Sequence, residues 1–347
     1  MKIDILTFSH AVNRGAHMQC YALSKVLHDM GYQVEVIHIE LPHGKLSWKG
    51  KIDQFILNTL NEKFRKKYYP QISSTYRSAI ELQENPPKAD IFIVGSDQVW
   101  NPVLTREFGV DAFFLNFVPK GCKKIAYAVS FGASKWIPTG NDKEIIKLVH
   151  EFDAISVREV NGIDICKEAF NISDVKSVLD PVFLLKDYTP IIGTKRRDKK
   201  EIICYPLYLD GAIKQIFVQA SQDLKLTPVS YARSVRGKNI KIKLFSSISG
   251  WLCCINQSSM VITNSFHCMA FCILFKKNFI VTPPYPGRED RILSILTQLG
   301  LANRYVSSVK DFENRKADLY KGIDYTYADG QLQLLRQESL KFLAHII

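Results

Sequence analysis

A chain of 347 residues exceeds what one compact core ordinarily holds, so two domains are expected. Hydrophobic residues at 46% and charged residues at 23% match an average soluble globule and exclude a disordered chain, a fibre and a bundle of membrane spans. The net charge of +12 favours anionic partners, and nucleic acid is set aside because the motif-rich segments do not interleave aromatic with basic residues.

In chain order, Ile3, Ile5, Leu6 and Phe8 form an apolar run that predicts a first strand, and Asp4 inside it breaks the apolar core a secretory signal needs. A cytoplasmic protein is expected. Met18, Ala22, Leu23, Val26, Leu27 and Met30 recur at helical spacing, Gly31 suits the helix end, and 33–39 reads as the second strand. Such a unit calls for a parallel sheet with right-handed crossovers, whose ligands gather at the carboxyl ends of the strands. Apolar runs at 90–94, 124–129, 154–157 and 177–179 continue the pattern.

The stretch 192–200, with Gly193, Arg196, Arg197, Lys199 and Lys200, is polar and reads as a connection between domains. Beyond it the alternation resumes: strand 201–207, helix 211–223, strand 228–232, helix 248–256, strand 260–263, a helix starting near Ser265, strand 278–282 and helix 289–299. The last apolar stripe, from Leu332 to Ile347, is expected to pack back on the first domain. The architecture predicted is α/β: two Rossmann-like domains facing across a cleft, over residues 1–190 and 191–325, with a closing helix over 326–347.

Eight cysteines without regular spacing suit reduced core thiols. Cys253, Cys254, Cys268 and Cys272 form the one arrangement worth weighing for metal, but they lack the usual zinc spacings, so no metal is expected. The apolar region 251–275 is interrupted by Asn256, Gln257, Asn264, Ser265 and His267, which argues for buried helix and strand and not for a membrane span. Lys45, Lys49, Lys51, Lys63, Arg65, Lys66 and Lys67 flank Ile52, Phe55, Ile56, Leu60 and Phe64. This stretch reads either as a solvated basic helix or as a surface that meets anionic lipid at the inner face of the membrane.

Three segments carry chemistry. Met260-Val-Ile-Thr-Asn-Ser-Phe-His267 is a strand running into a helix, where free backbone N–H groups and the helix dipole can hold a phosphate or carboxylate; equally, Asn264 and Ser265 are caps and His267 a structural histidine. Asp90-Ile-Phe-Ile-Val-Gly-Ser-Asp-Gln-Val-Trp-Asn101 ends in Asp97, Gln98 and Asn101 beside Trp100, groups suited to sugar hydroxyls and to a pyranose face, or else to capping a turn and filling core. The loop Ser9-His-Ala-Val-Asn-Arg-Gly-Ala16 lacks the dinucleotide fingerprint, yet Asn13 and Arg14 stand at a strand's carboxyl end.

Taken together, Asn13-Arg-Gly-Ala16 with Gln19-Cys-Tyr-Ala-Leu23, Val94-Gly-Ser-Asp-Gln-Val-Trp-Asn-Pro102, Tyr127-Ala-Val-Ser-Phe-Gly132, Ile155-Ser-Val-Arg-Glu159, Leu179-Asp-Pro-Val182, Asn264-Ser-Phe-His267 and Arg291-Ile-Leu-Ser-Ile-Leu296 resemble the polysaccharide pyruvyl transferase family. The blocks cover most of residues 1–305. The resemblance implies a fold like the GT-B glycosyltransferases, phosphoenolpyruvate as co-substrate with no further cofactor, a hexose or lipid-linked oligosaccharide as acceptor, and a pyruvate ketal as product. It places a donor-holding histidine at His267; ketal formation needs a proton donor and a base, and His267 is the candidate acid or phosphate partner and Asp97 the candidate base. Where relatives carry Arg-Leu-His, this chain has Ser265-Phe266-His267, so Arg288 and Arg291 are candidates to supply the missing charge, or are solvent-facing helix residues. Arg158 and Arg233 are further donor candidates, Arg158 alternatively a structural ion-pair partner. Asn264 and Ser265 complete the donor set; Asn13, Arg14, Gln98, Trp100, Asn101 and Ser130 are the acceptor set. The alternatives are a glycosyltransferase with a nucleotide-sugar donor and a non-catalytic carbohydrate-binding relative.

Overall fold

The computed structural model describes residues 1–9, 13–40, 47–194, 198–286 and 288–347, apart from the side chain of Lys49. His10, Lys45, Arg196 and Arg197 lie outside the described residues. The chain divides into two units, Met1–Leu185 with Leu334–Ile347, and Lys186–Gln333.

The first unit contains β1 (Lys2–Leu6), β2 (Gln33–Ile39), β3 (Ile72–Tyr76), β4 (Ile91–Val94), β5 (Lys123–Val129), β6 (Ala154–Val157) and β7 (Val175–Ser177). They form a seven-stranded sheet in the order β3-β2-β1-β4-β5-β6-β7, with every pair parallel. Parallel strands covered on both faces are apolar throughout and do not alternate, which is why β4 reads Ile-Phe-Ile-Val and is fully buried. The strand expected at 177–179 lies earlier because Asp180-Pro181 opens a 3-10 turn at Pro181–Phe183, whose proline has no N–H for a ladder.

Two helices of this unit flank the carboxyl ends of β1 and β2. Helix α1 (Arg14–Asp29) starts where the Asn13 side chain accepts from Gly15 N at 2.9 Å. Helix α2 (Trp48–Tyr68) is held on α1 through its second half: Phe64 and Tyr68 meet Tyr21 edge-on, and the following Tyr69 donates to His17 O at 3.1 Å.

The second unit contains β8 (Glu201–Tyr205), β9 (Thr227–Ser230), β10 (Lys241–Ile242), β11 (Met260–Thr263) and β12 (Asn278–Val281), all parallel, in the order β10-β9-β8-β11-β12. β8 stops two residues short of the predicted strand because Pro206 cannot donate to the ladder. The closing helix, Thr326–Ile346, begins in the second unit, and its residues from Leu334 belong to the first. There Ser339 Oγ accepts from Leu179 N at 3.0 Å, and Leu343 and Ile346 are buried.

Asp4 sits in the middle of β1 with no surface exposed, 3.3 Å from Lys2 Nζ. Burial raises its carboxyl from 3.8 to about 6; Lys2 works against the shift and Glu35 adds to it. The folded protein therefore binds this proton more tightly than the unfolded chain. The contribution favours folding below pH 4 and is lost as pH rises to about 6. Asp4→Asn should raise the stability measured by chemical denaturation at pH 8 by about 1–2 kcal/mol and give no gain at pH 4.

Candidate functional site

In each sheet the chain leaves a central pair of strands in opposite directions, and ligands of open α/β sheets collect at the carboxyl side of such a reversal. In the second unit the reversal lies between β8 and β11. The residues directly after β11 are Asn264, Ser265, Phe266 and His267.

Asn264 is 1% exposed and joins three loops. Its Oδ1 accepts from Leu207 N at 2.8 Å and Tyr208 N at 3.3 Å, after β8, and its Nδ2 donates to Tyr208 O at 2.6 Å and to Pro283 O at 3.4 Å, after β12. Both ends of the amide are thus engaged by backbone, so Asn264 positions the loops and does not present itself to a ligand, a correction to its reading as a donor-binding side chain. The cap of helix Phe266–Leu274 is Ser265, whose Oγ accepts from Cys268 N at 3.3 Å. Ser265 N in turn donates to Thr263 Oγ1 at 3.0 Å, and Thr263 Oγ1 donates to Tyr205 O at 2.6 Å, which fixes the turn against β8. His267 occupies the first turn, 5% exposed, with its ring edge-on to Phe266 at 5.3 Å.

The arginine candidates of this unit follow strand ends. Arg288 lies over the Tyr285 ring at 5.4 Å, and Tyr285 packs on Tyr208 at 4.3 Å, so an aromatic stack joins Arg288 to the loop that Asn264 holds. Arg233 follows β9, exposed, over Phe245 at 5.8 Å. Arg291 is half-buried in the first turn of helix Asp290–Gln298. Tyr208 and Tyr285 were not legible as site residues; their only signal is that each follows a strand end.

In the first unit the reversal falls between β1 and β4. A buried polar network fills it. Gln19 Nε2 donates to Thr7 Oγ1 at 2.9 Å, Thr7 Oγ1 donates to Ser96 O at 2.9 Å, and Ser96 N donates to Gln19 Oε1 at 3.1 Å. Ser96 Oγ lies 3.2 Å from Asp180 Oδ2, which also accepts from Arg158 Nη1 at 2.8 Å. The Arg158 guanidinium further meets Glu159 at 3.0 Å and Asp97 at 3.8 Å. Burial works against its charge, but Glu159, Asp180 and Asp97 together raise its pKa above the ordinary value. Three carboxylates around one cation leave no positive field for an anionic donor, so the donor role read for Arg158 is corrected: it is an internal ion-pair partner.

The acceptor set changes as well. Trp100 is 0% exposed, stacked on Phe114 at 5.0 Å, with Nε1 donating to Phe113 O at 3.0 Å, so no face is open to a sugar. Asn101 and Ser130 are equally buried. Asn101 Oδ1 accepts from Val103 N and caps helix Pro102–Thr105, and its Nδ2 donates to Gln98 Oε1 at 3.1 Å. Ser130 Oγ accepts from Gly132 N at 3.1 Å. Trp100, Asn101 and Ser130 therefore shape the loop and are corrected as acceptor contacts. Gln98 and Asn13 are half-buried, and Arg14, at 7% exposed, opens α1. Asp97 has φ +73 and is 7% exposed, its Oδ1 accepting from Gln98 N at 2.9 Å. Gly95, at φ +117, must be glycine: a Cβ there would stand 2.2 Å from Tyr127 O.

Among the described residues no group of three or more His, Cys, Asp or Glu side chains could hold a metal ion, and all eight cysteines are free thiols. No helix among them is long and apolar enough to cross a membrane.

Known proteins share this architecture. The chain is similar in fold to MnaA of S. aureus in complex with UDP, with 13% identity over 100% of this chain and 97% of that one and a TM-score of 0.57. It is likewise similar to UGT89C1 of Arabidopsis thaliana in complex with UDP, with 10% identity, 99% of each chain and a TM-score of 0.56. A UDP-glucosyltransferase of Polygonum tinctorium is similar at 8% identity, 99% and 98% coverage and a TM-score of 0.54. These likenesses establish a GT-B-like α/β fold. No curated protein matches the sequence. The family model described as polysaccharide pyruvyl transferase matches residues 13–284, well over half of the chain, and takes in β8 and β11 on either side of the second sheet's reversal. The chain belongs to the polysaccharide pyruvyl transferase family.

Proposed function

We propose that the protein transfers pyruvate from phosphoenolpyruvate to a hexose of a cell-surface polysaccharide or its lipid-linked precursor, forming a pyruvate ketal. The observation that carries the reading is the start of helix Phe266–Leu274: a capped helix N-terminus at a strand reversal, with His267 in its first turn and Arg288 linked to it through Tyr285 and Tyr208. Backbone N–H groups and the helix dipole favour an anion there. A guanidinium matches the carboxylate or phosphate of the donor with paired hydrogen bonds.

In the proposed reaction a proton adds to the methylene carbon of phosphoenolpyruvate and a sugar hydroxyl oxygen adds to C2. The C2–phosphate bond then breaks, and a second hydroxyl closes the ketal, its proton leaving with phosphate. Two C–O bonds form, one breaks, and no electron carrier is needed. His267 is assigned as the proton donor or the partner of the departing phosphate, and Asp97 as the base toward the hydroxyl. Arg288, Arg291 and Arg233 are assigned to the donor's charges. Phosphate release from phosphoenolpyruvate that depends on a glycoside supports the reading. Release of UDP or GDP from a nucleotide sugar would instead indicate a glycosyltransferase, and sugar binding without turnover a non-catalytic relative.

We also propose peripheral contact with anionic membrane through the first half of α2. Trp48, Ile52 and Phe55, spaced on one helix face, are 79%, 44% and 73% exposed, and Lys51, Lys63, Lys66 and Lys67 along the same helix are exposed as well. Exposed apolar residues bounded by lysines suit the headgroup region of anionic lipid. The protein should sediment with phosphatidylglycerol vesicles at low salt and be released by high salt or by Trp48→Ser with Phe55→Ser; no sedimentation at low salt rejects the contact.

A further inference from the structure

With Trp100, Asn101 and Ser130 buried, an acceptor sugar needs another site. The first unit offers an open pocket of about 560 Å³ between α2 and the strands β2 and β3. That volume is typical of small-molecule sites. It also lies beside the β1 reversal, because Arg65, which lines it, donates from Nη1 to Ser9 O at 3.3 Å.

The chemistry of its walls points to one class of ligand. Glu40, Glu62, Arg65 and Lys66 contribute two charges of each sign, and Glu62 pairs with Lys66 at 2.6 Å. The wall therefore offers fixed donors and acceptors without a strong net field, which does not suit a multiply charged anion such as phosphoenolpyruvate. His38, also in the wall, is kept neutral because burial, helped by Arg65, lowers its imidazole to about 4. Asn58 adds an amide that both donates and accepts, and Phe55, largely exposed, supplies an apolar surface. Paired donors and acceptors beside an aromatic ring are what a neutral pyranose requires, since each hydroxyl both donates and accepts while the C–H face seeks apolar contact.

We propose that this pocket is the acceptor site and binds a neutral hexose residue, an inference that rests on the pyruvyl-transfer reading and gives it a location for the sugar. The test uses p-nitrophenyl glycosides of galactose, glucose and mannose as probes, read by saturation-transfer NMR on the full chain. The expected result is binding of at least one glycoside, weakened about tenfold or more by Asn58→Ala and by Glu62→Gln and unchanged in His267→Ala. Where turnover is seen, the same two variants should raise KM for the glycoside and leave KM for phosphoenolpyruvate unchanged. Glu62→Gln preserves shape at an exposed position, so loss of binding there does not reflect unfolding. Binding that survives both substitutions, or no binding by any of the three glycosides, overturns the proposal. Pocket-dependent binding with no phosphate release from phosphoenolpyruvate upholds the pocket and defeats the transferase reading, so the two failures are told apart.

Discussion

Replacing His267 by Ala should lower glycoside-dependent phosphate release from phosphoenolpyruvate by about a hundredfold to ten-thousandfold, the range over which a positioned acid or base contributes. The imidazole sits in the first turn of helix Phe266–Leu274, in the turn that Ser265 and Asn264 hold by their own hydrogen bonds. Those bonds do not involve the ring, so the turn should persist in the variant, and turnover is compared per folded molecule. A merely structural histidine gives the opposite pattern, with stability lost and residual turnover per folded molecule intact. Arg288→Ala should act differently, raising KM for phosphoenolpyruvate more than it lowers kcat, because a guanidinium held through Tyr285 and Tyr208 serves donor binding in the proposed scheme.

The second large effect concerns stability. Arg158→Ala should destabilise the first unit by about 3–5 kcal/mol in chemical denaturation, because it leaves Glu159, Asp180 and Asp97 buried around a missing cation. Breaking a buried pair by removing one partner costs far more than the pair contributes, since the remaining charges keep their desolvation cost. Arg158→Lys should recover only part of the loss: one ammonium cannot reproduce the separate contacts that Nε makes to Glu159 and Nη1 makes to Asp180. A loss below about 1 kcal/mol for Arg158→Ala would show that these carboxylates find other partners.

Much of the second sheet was legible because its strands are short apolar runs bounded by turn residues, as in Met260-Val-Ile-Thr263. β3 was not, since Ser73, Ser74 and Thr75 dilute its period, and β10 has only two residues. The site was legible as positions and less so as roles. Asn264, Ser265 and His267 were found because a strand running into a helix has a physical signature, but which of the first two caps the helix depends on Leu207, Tyr208 and Pro283, which lie far away in sequence.

Trp100 illustrates the opposite failure. Beside Asp97, Gln98 and Asn101 it reads as a plate for a sugar, yet its ring is enclosed by Phe114, Phe131, Phe152 and Phe170, brought in from four other segments. The same holds for the blocks that carry the family resemblance in the first unit. Gln19, Ser96, Arg158, Glu159 and Asp180 belong to them, and the structure unites these residues with Thr7 in one buried network, a role that separate short motifs do not reveal.

The most direct measurement incubates the protein with phosphoenolpyruvate and a panel of aryl and lipid-linked glycosides, followed by mass spectrometry and a phosphate assay. Pyruvyl transfer should yield a glycoside carrying one pyruvate ketal, with one phosphate released for each ketal formed and no requirement for a nucleotide. Absence of any ketal, together with nucleoside diphosphate release when a nucleotide sugar is supplied instead, would contradict it.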